Sequence, residues 1–134
     1  MKHSNLWIFI SLAFLSLNNV TLVAQSFAEI VFEEKIINLG EVDSNIKPEY
    51  YLEFNFENTG NALLVINQIK ASCGCTKPEF PTHPIKPGEK GKIKVKFVLG
   101  KDEGYFSKHL IVDSNGKEDV IMLRIKGEIK NANQ

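Results

Sequence analysis

The sequence predicts an all-β domain of two packed antiparallel sheets, with six to eight strands and an open-ended barrel as the second choice. Three observations carry this reading. Apolar and polar residues alternate with a period of two along several runs rich in β-branched and aromatic side chains. Turn-forming residues punctuate those runs at the short intervals of a sandwich. Beyond Gln25 no long stretch places apolar residues at helical spacing, so almost no helix is expected.

The chain opens MKHSNLWIFISLAFLSLNNVTLVAQS, with Lys2 and His3 ahead of an apolar run from Leu6 to Leu17 and small Ala24 beyond it. That order is the pattern of a secretory signal peptide cleaved after Ala24. The apolar run is marginal in length for a stable membrane span. Residues 1–24 are therefore expected to be a signal peptide. Residues 25–134 are expected to form one sandwich domain, periplasmic or secreted, with no stable membrane span once the leader is gone.

FAEIVFEEKIINLGEV reads as an edge strand and a short second strand, broken by Glu33, Glu34 and Lys35 and turned at Gly40. In YYLEFNFENTGN, Tyr50, Leu52, Phe54 and Phe56 share one face and Tyr51, Glu53, Asn55 and Glu57 the other, which makes this the clearest strand of the chain. LLVINQIKA follows, with Leu64, Ile66 and Ile69 as inward candidates. Pro78, Pro81, Pro84 and Pro87 then exclude a helix and a central strand, leaving a turn-rich connection along an edge that ends at the Pro87–Gly88 turn. KIKVKFVLG points Ile93, Val95 and Phe97 inward and Lys92, Lys94 and Lys96 outward. YFSKHLIVDSNG and VIMLRIKGEI complete the strands.

The charge balance of 16 basic and 16 acidic side chains offers no broad footprint for nucleic acid or an anionic membrane. The Lys92, Lys94, Lys96 row lacks the interleaved exposed aromatics of a single-strand platform, Tyr51 being the best exposed candidate. Its simpler reading is protection of an edge strand against edge-to-edge pairing. No GxSxG elbow, HExxH, phosphate loop or calcium loop occurs. The pairs Glu33 with Glu34 and Asp102 with Glu103 read as solvated charge, so no catalytic residue is assigned and no enzyme is expected.

Both cysteines of the chain fall in ASCGCTK, separated by Gly74 alone. On a regular strand, side chains two apart lie about 6.6 Å from each other. A disulfide needs its Cβ atoms about 3.5–4.5 Å apart. Cys73 and Cys75 can bridge only where the backbone curls, which Gly74 permits because it can take positive φ. A loop that small would contribute little entropic stabilisation. Metal binding is the second reading: Cys73, Cys75 and His83 would supply three soft or borderline ligands for zinc or copper(I), one short of a closed structural site. In the third, one cysteine packs inward and the other is exposed at a change of chain direction. His83 itself reads more simply as a solvated loop residue, and His109 as a strand residue facing solvent.

The stretch EFNFENTGNALLVINQIKASCGCTKPEFPTHPIKPGEKGKIKVKF, with GYFSKHLIVDSNG and LRIKGEI, resembles the bacterial family DUF1573, common in secreted proteins of the Bacteroidetes. The likeness runs from about Phe32 to Ile129. It rests on the NTG turn at Asn58–Gly60, SCGCT at Ser72–Thr76, the PG turn at Pro87–Gly88 and the terminal IKGEI strand. The resemblance implies an immunoglobulin-like antiparallel β-sandwich of about seven strands, related to the major sperm protein and to cilium-associated repeats. It implies a binding or structural module, and with no catalytic constellation in the chain the expectation is a protein partner in the cell envelope and no cofactor. The alternative function is a metal-binding or thiol-redox protein built on Cys73-Gly74-Cys75.

Overall fold

The computed structural model describes residues 24–131. The expected leader, apart from Ala24, lies outside the described residues. Eight strands follow one another: β1 (Ile30–Phe32), β2 (Ile36–Val42), β3 (Glu49–Asn58), β4 (Ile66–Ala71), β5 (Thr76–Glu79), β6 (Lys90–Val98), β7 (Gly104–Ser114) and β8 (Val120–Ile129). They form two four-stranded sheets, in the orders β1-β3-β6-β5 and β2-β8-β7-β4.

The period-two alternation explains how the sheets meet. Phe54, Phe56, Ile93, Val95 and Phe97 of the first sheet face Leu110, Val112, Ile121, Leu123 and Ile125 of the second, and all are buried. Tyr50, Leu52 and Ile69 pack more loosely against this core. Leu64 and Ile85 bridge in antiparallel fashion outside the named strands and are both buried.

The eight strands lie within the six to eight expected, and the chain crosses between the sheets at β1–β2, β2–β3, β3–β4, β4–β5 and β6–β7. Two sequence expectations change. The sandwich is not wholly antiparallel, since β2 pairs in parallel with β8. Alternation encodes which face a side chain takes and says nothing of strand direction. The Lys92, Lys94, Lys96 row does not guard an edge, because β6 has β3 on one side and β5 on the other. Its lysines instead meet acidic residues across the ladder: Lys92 lies 3.0 Å from Glu53 and Lys96 3.0 Å from Glu49.

The NTG turn has a physical explanation. Asn58 is fully buried, and its amide group is fully used. Nδ2–H donates to the carbonyls of Ala62 (2.8 Å) and Ile85 (2.9 Å). Oδ1 accepts from the N–H groups of Gly60 (3.1 Å) and Glu29 (3.3 Å). Gly60 is required by close approach, because a Cβ there would stand 2.4 Å from the Phe27 carbonyl oxygen. Gly88 follows Pro87 in a turn closed by Glu89 N–H on the Lys86 carbonyl (3.0 Å), and its φ of 76° suits glycine. The Gly88 N–H then reaches the Asn58 carbonyl at 2.7 Å.

Replacing Asn58 with Ala takes this partner from the part-buried Ala62 carbonyl and the N–H groups of Gly60 and Glu29, and leaves the buried Ile85 carbonyl with Leu64 N–H alone. Destabilisation of about 3 kcal/mol is expected in urea unfolding, since each orphaned buried group costs about 1–3 kcal/mol and relaxation recovers part of the total. Gly60→Ala is expected to destabilise comparably by displacing the segment ahead of β1. A change below about 0.5 kcal/mol in either variant, the range of ordinary surface substitutions, would contradict this account.

Candidate functional site

The crossover from β4 to β5 carries the cysteines at one end of the sandwich, and it is pinned to both sheets. Ser72 N–H donates to the His109 carbonyl (2.9 Å), and Ser72 Oγ accepts from the His109 N–H (3.0 Å), the last rung with β7. The chain then folds over itself as Thr76 N–H meets the Cys73 carbonyl at 3.3 Å. Val98 N–H donates to the Cys75 carbonyl at 2.9 Å, the first rung with β6. This turn brings the Cα atoms of Cys73 and Cys75 to 5.2 Å, and the two sulfurs are bonded. Both cysteines are half-buried, and Cys75 packs against the core. Their sulfurs lie 3.5 and 3.7 Å from Oγ1 of buried Thr76.

The role foreseen for Gly74 differs. Its φ is not positive, and a Cβ there would meet nothing within 4 Å. The curl comes from the Cys73–Thr76 turn rather than from a left-handed glycine.

His83 is not near the pair. It sits in the proline-rich loop, with Nε2 3.9 Å from a Glu89 carboxylate, beside Phe80 and Gly91. The cysteines lie at the Phe97–Val98 end of β6, and at about 3.3 Å per residue the strand separates the two places by roughly 20 Å. Cys73, Cys75 and His83 therefore do not form one ligand set. Among the described residues, no group of three or more His, Cys, Asp and Glu side chains could hold a metal ion. Sulfurs joined to each other are also not free thiolates for a metal. His109 projects from the outer face of β7, in register with Arg124 and half-buried rather than fully solvated.

Beside the cysteine turn lies a feature that alternation did not reveal, the unpaired edge of β4. This strand has β7 on one side and no strand on the other. The register places Ala71 opposite Leu110, Lys70 opposite Ile111 and Ile69 opposite Val112. Because Ser72 N–H bonds toward β7, antiparallel alternation turns Lys70 and Gln68 toward β7 as well and leaves the N–H and C=O groups of Ile69 and Ala71 facing outward. The other edges are less open. Strand β5 is four residues long with Pro78 inside it and β1 has three residues, while β2 shifts register between Asn38 and Glu41 at its middle and β4 only near its start, between Ile66 and Gln68.

Asp113 stands over this edge on the outer face. Asn67 Nδ2–H donates to its Oδ1 (2.9 Å) and Gln68 Nε2–H to its Oδ2 (3.0 Å). These two bonds, the Asn67 one first, hold the Asp113 carboxyl below the usual carboxylate range, and the nearby Lys70 charge adds to them. INQIKA could have suggested an accessible edge, since it has no proline and a single lysine. Which strand ends a sheet, however, is not encoded in any one segment.

Because the folded pKa of Asp113 is depressed, the stability it contributes is present above the ordinary carboxylate range and is lost as pH falls through the lowered value. Asn67→Ala is expected to raise the Asp113 midpoint in an NMR carboxyl titration, and an unchanged midpoint would contradict the assignment.

No curated protein matches the chain. Among solved structures it is similar to a protein of unknown function from Porphyromonas gingivalis W83, with a TM-score of 0.65 and 12% identity over 83% of this chain and 51% of that one. The chain thus spans about half the length of that protein. It is also similar to the ASH / PapD-like domain 7 of human CEP192, with a TM-score of 0.61 and 9% identity over 84% of this chain and 93% of that domain. A third likeness is to the secreted serine protease VesC from Vibrio cholerae, with a TM-score of 0.56 and 15% identity over 79% of this chain and 24% of that one. At these identities the shared property is the fold, an open immunoglobulin-like sandwich. Residues 30–129 match the family described as "Protein of unknown function (DUF1573)", to which the chain therefore belongs.

Proposed function

We propose that residues 25–134 form a single non-enzymatic module that follows a cleaved leader, works in the periplasm or as a secreted protein, and binds an extended segment of a protein partner in the cell envelope. The observation that carries this reading is the free edge of β4, where, past a register shift between Ile66 and Gln68, Ile69 and Ala71 turn their main-chain groups outward and no proline interrupts the strand. Partners add to such edges through main-chain hydrogen bonds, and neighbouring side chains set the preference. The leader pattern in residues 1–24 supports the compartment. No helix among the described residues is long and apolar enough to cross a membrane.

A second reading makes the cysteine turn a thiol-redox site, and the bonded pair favours this over a metal site. Intact-mass measurement of envelope-purified protein with thiol labelling tests it. The mass of the oxidised chain and no labelling would support it. Free thiols holding a metal would overturn it.

Ala71→Pro tests the main proposal, because it removes an outward N–H without removing a rung to β7. With folding checked by circular dichroism and melting, the variant is expected to retain the envelope partner roughly tenfold less than the unsubstituted domain, the loss expected from one or two main-chain bonds. Equal retention by both proteins would sink edge recognition.

A further inference from the structure

The geometry points to the Cys73–Cys75 bridge as a site of exchange with an external thiol, in which Thr76 and Lys108 hold the thiolate released when the bridge opens. This deepens the thiol-redox reading above and rests on it. One bridge per chain makes the exchange stoichiometric, so the module remains non-enzymatic.

The Thr76 hydroxyl is the first argument. Thr76 is 3% exposed and stands in register with buried Phe97 of β6, so its side chain points into the sandwich. Its Oγ1 lies 3.5 Å from the Cys73 sulfur and 3.7 Å from the Cys75 sulfur, and these two atoms are its hydrogen-bond partners among the described residues. Bonded sulfurs carry no proton, so the hydroxyl donates to both. A disulfide sulfur is a weak acceptor, whereas a thiolate in the same place receives a charge-assisted bond. Whichever sulfur is released, its donor is already in place.

Lys108 is the second argument. Register sets it opposite Ile125, on the face of β7 that also carries Phe106 and Leu110 and meets the core. It is half-buried there and has no ion-pair partner among the described residues. Lys108 lines a cavity of about 420 Å³ whose wall includes both Cys73 and Cys75. Its ammonium is thus available to a negative charge that forms inside that cavity. The other titratable groups on the cavity are Asp102 and Glu103, from the connection between β6 and β7, and Tyr105; β6 and β8 bring only apolar side chains. Glu103 Oε1 accepts the N–H of Asn131 at 3.1 Å, and Asp102 is exposed.

The cavity admits a compact thiol, either a free molecule or a cysteine side chain of a partner. Its thiolate attacks one bridge sulfur, a new S–S bond forms as the Cys73–Cys75 bond breaks, and the other bridge sulfur leaves as a thiolate with the bonding electron pair. A second thiol attacks the mixed disulfide in the same way. Two external thiols are thereby oxidised to a disulfide, while the bridge takes up two electrons and two protons. A leaving thiol departs faster when a neighbouring cation and a hydrogen-bond donor stabilise its thiolate, and these are what Lys108 and Thr76 supply.

The test follows opening of the bridge in the full domain by 2-mercaptoethanol and by a glycine-cysteine-glycine tripeptide at equal thiolate concentration, then titrates the reduced pair by its pH-dependent alkylation. Lys108→Met and Thr76→Val are expected to open about threefold more slowly and to alkylate with a midpoint at higher pH. Lys108→Arg and Thr76→Ser, which keep the charge and the hydroxyl, are expected to restore both readouts. Asp102 and Glu103 are the same in every variant, so their influence cancels. The faster probe identifies the source of the thiol, peptide or free molecule. A purely structural role for either residue would shift melting and leave the alkylation midpoint in place. Unchanged rates and midpoints in Lys108→Met and Thr76→Val, with a bridge that still opens, overturn the assignment and leave the thiol-redox reading standing. A bridge that resists excess thiol in the unsubstituted domain, or free thiols in the protein as purified, removes that reading as well.

Discussion

One buried amide holds the closed end of this sandwich together. Asn58 ends β3, and its side chain joins four stretches of backbone: the segment before β1, the turn through Gly60, the stretch around Ala62, and the Ile85 strand bridge. Its own main chain also receives the N–H of Gly88 and donates to the Glu89 carbonyl. Polar groups in a low-dielectric interior are stabilising only when every one is paired, and here none of the four side-chain positions is wasted. The geometry leaves no room for alternatives: Gly60 must lack a side chain because the backbone of residues 27–29 runs against it. Asparagine and glycine at these two positions are thus parts of one device, and the PG turn is its third part.

The opposite end is closed by a separate set of polar contacts. Asn131 accepts from Ser44 N–H and Oγ–H, and its Nδ2–H donates to the Lys101 carbonyl. Lys130 pairs with Glu41 nearby. The cysteine turn belongs to this end, where the chain leaves one sheet for the other with hydrogen bonds to β7 on one side and β6 on the other. A sheet switch of this kind joins one edge strand to another, β4 to β5. The turn and the open edge are therefore neighbours by construction, and chemistry at the cysteines would be felt at β4 before anywhere else.

The outer faces of the two sheets differ. On the first, Glu49, Tyr51 and Glu53 interleave with Lys92, Lys94 and Lys96, and Lys96 also approaches the Tyr51 ring. Exposed pairs of this kind contribute little to stability and keep a central ladder soluble. The second sheet carries exposed Ile36, Ile111, Val120 and Met122, together with the Asp113 cluster at its β4 edge. Recognition on that side can combine apolar contact with main-chain pairing.

The strands of the core were legible in the sequence because burial on one face imposes a period of two. Phe54, Phe56, Ile93, Val95 and Phe97 follow that period and are the residues found buried. The turn at Pro87–Gly88 was legible because a fixed φ followed by a positive one has a recognisable residue signature. Alternation is a local property, and the remaining features are not local. The parallel pairing of β2 with β8, the central place of β6, the distance of His83 from the cysteines and the open edge of β4 depend on which strands lie side by side. So does the role of Asn58, whose side-chain partners are separated from it by up to 29 residues. The sequence by itself determined the alternating faces, the turns and the family; only the tertiary structure decided neighbours, directions and free edges, because hydrogen bonds between strands carry no mark in either strand alone.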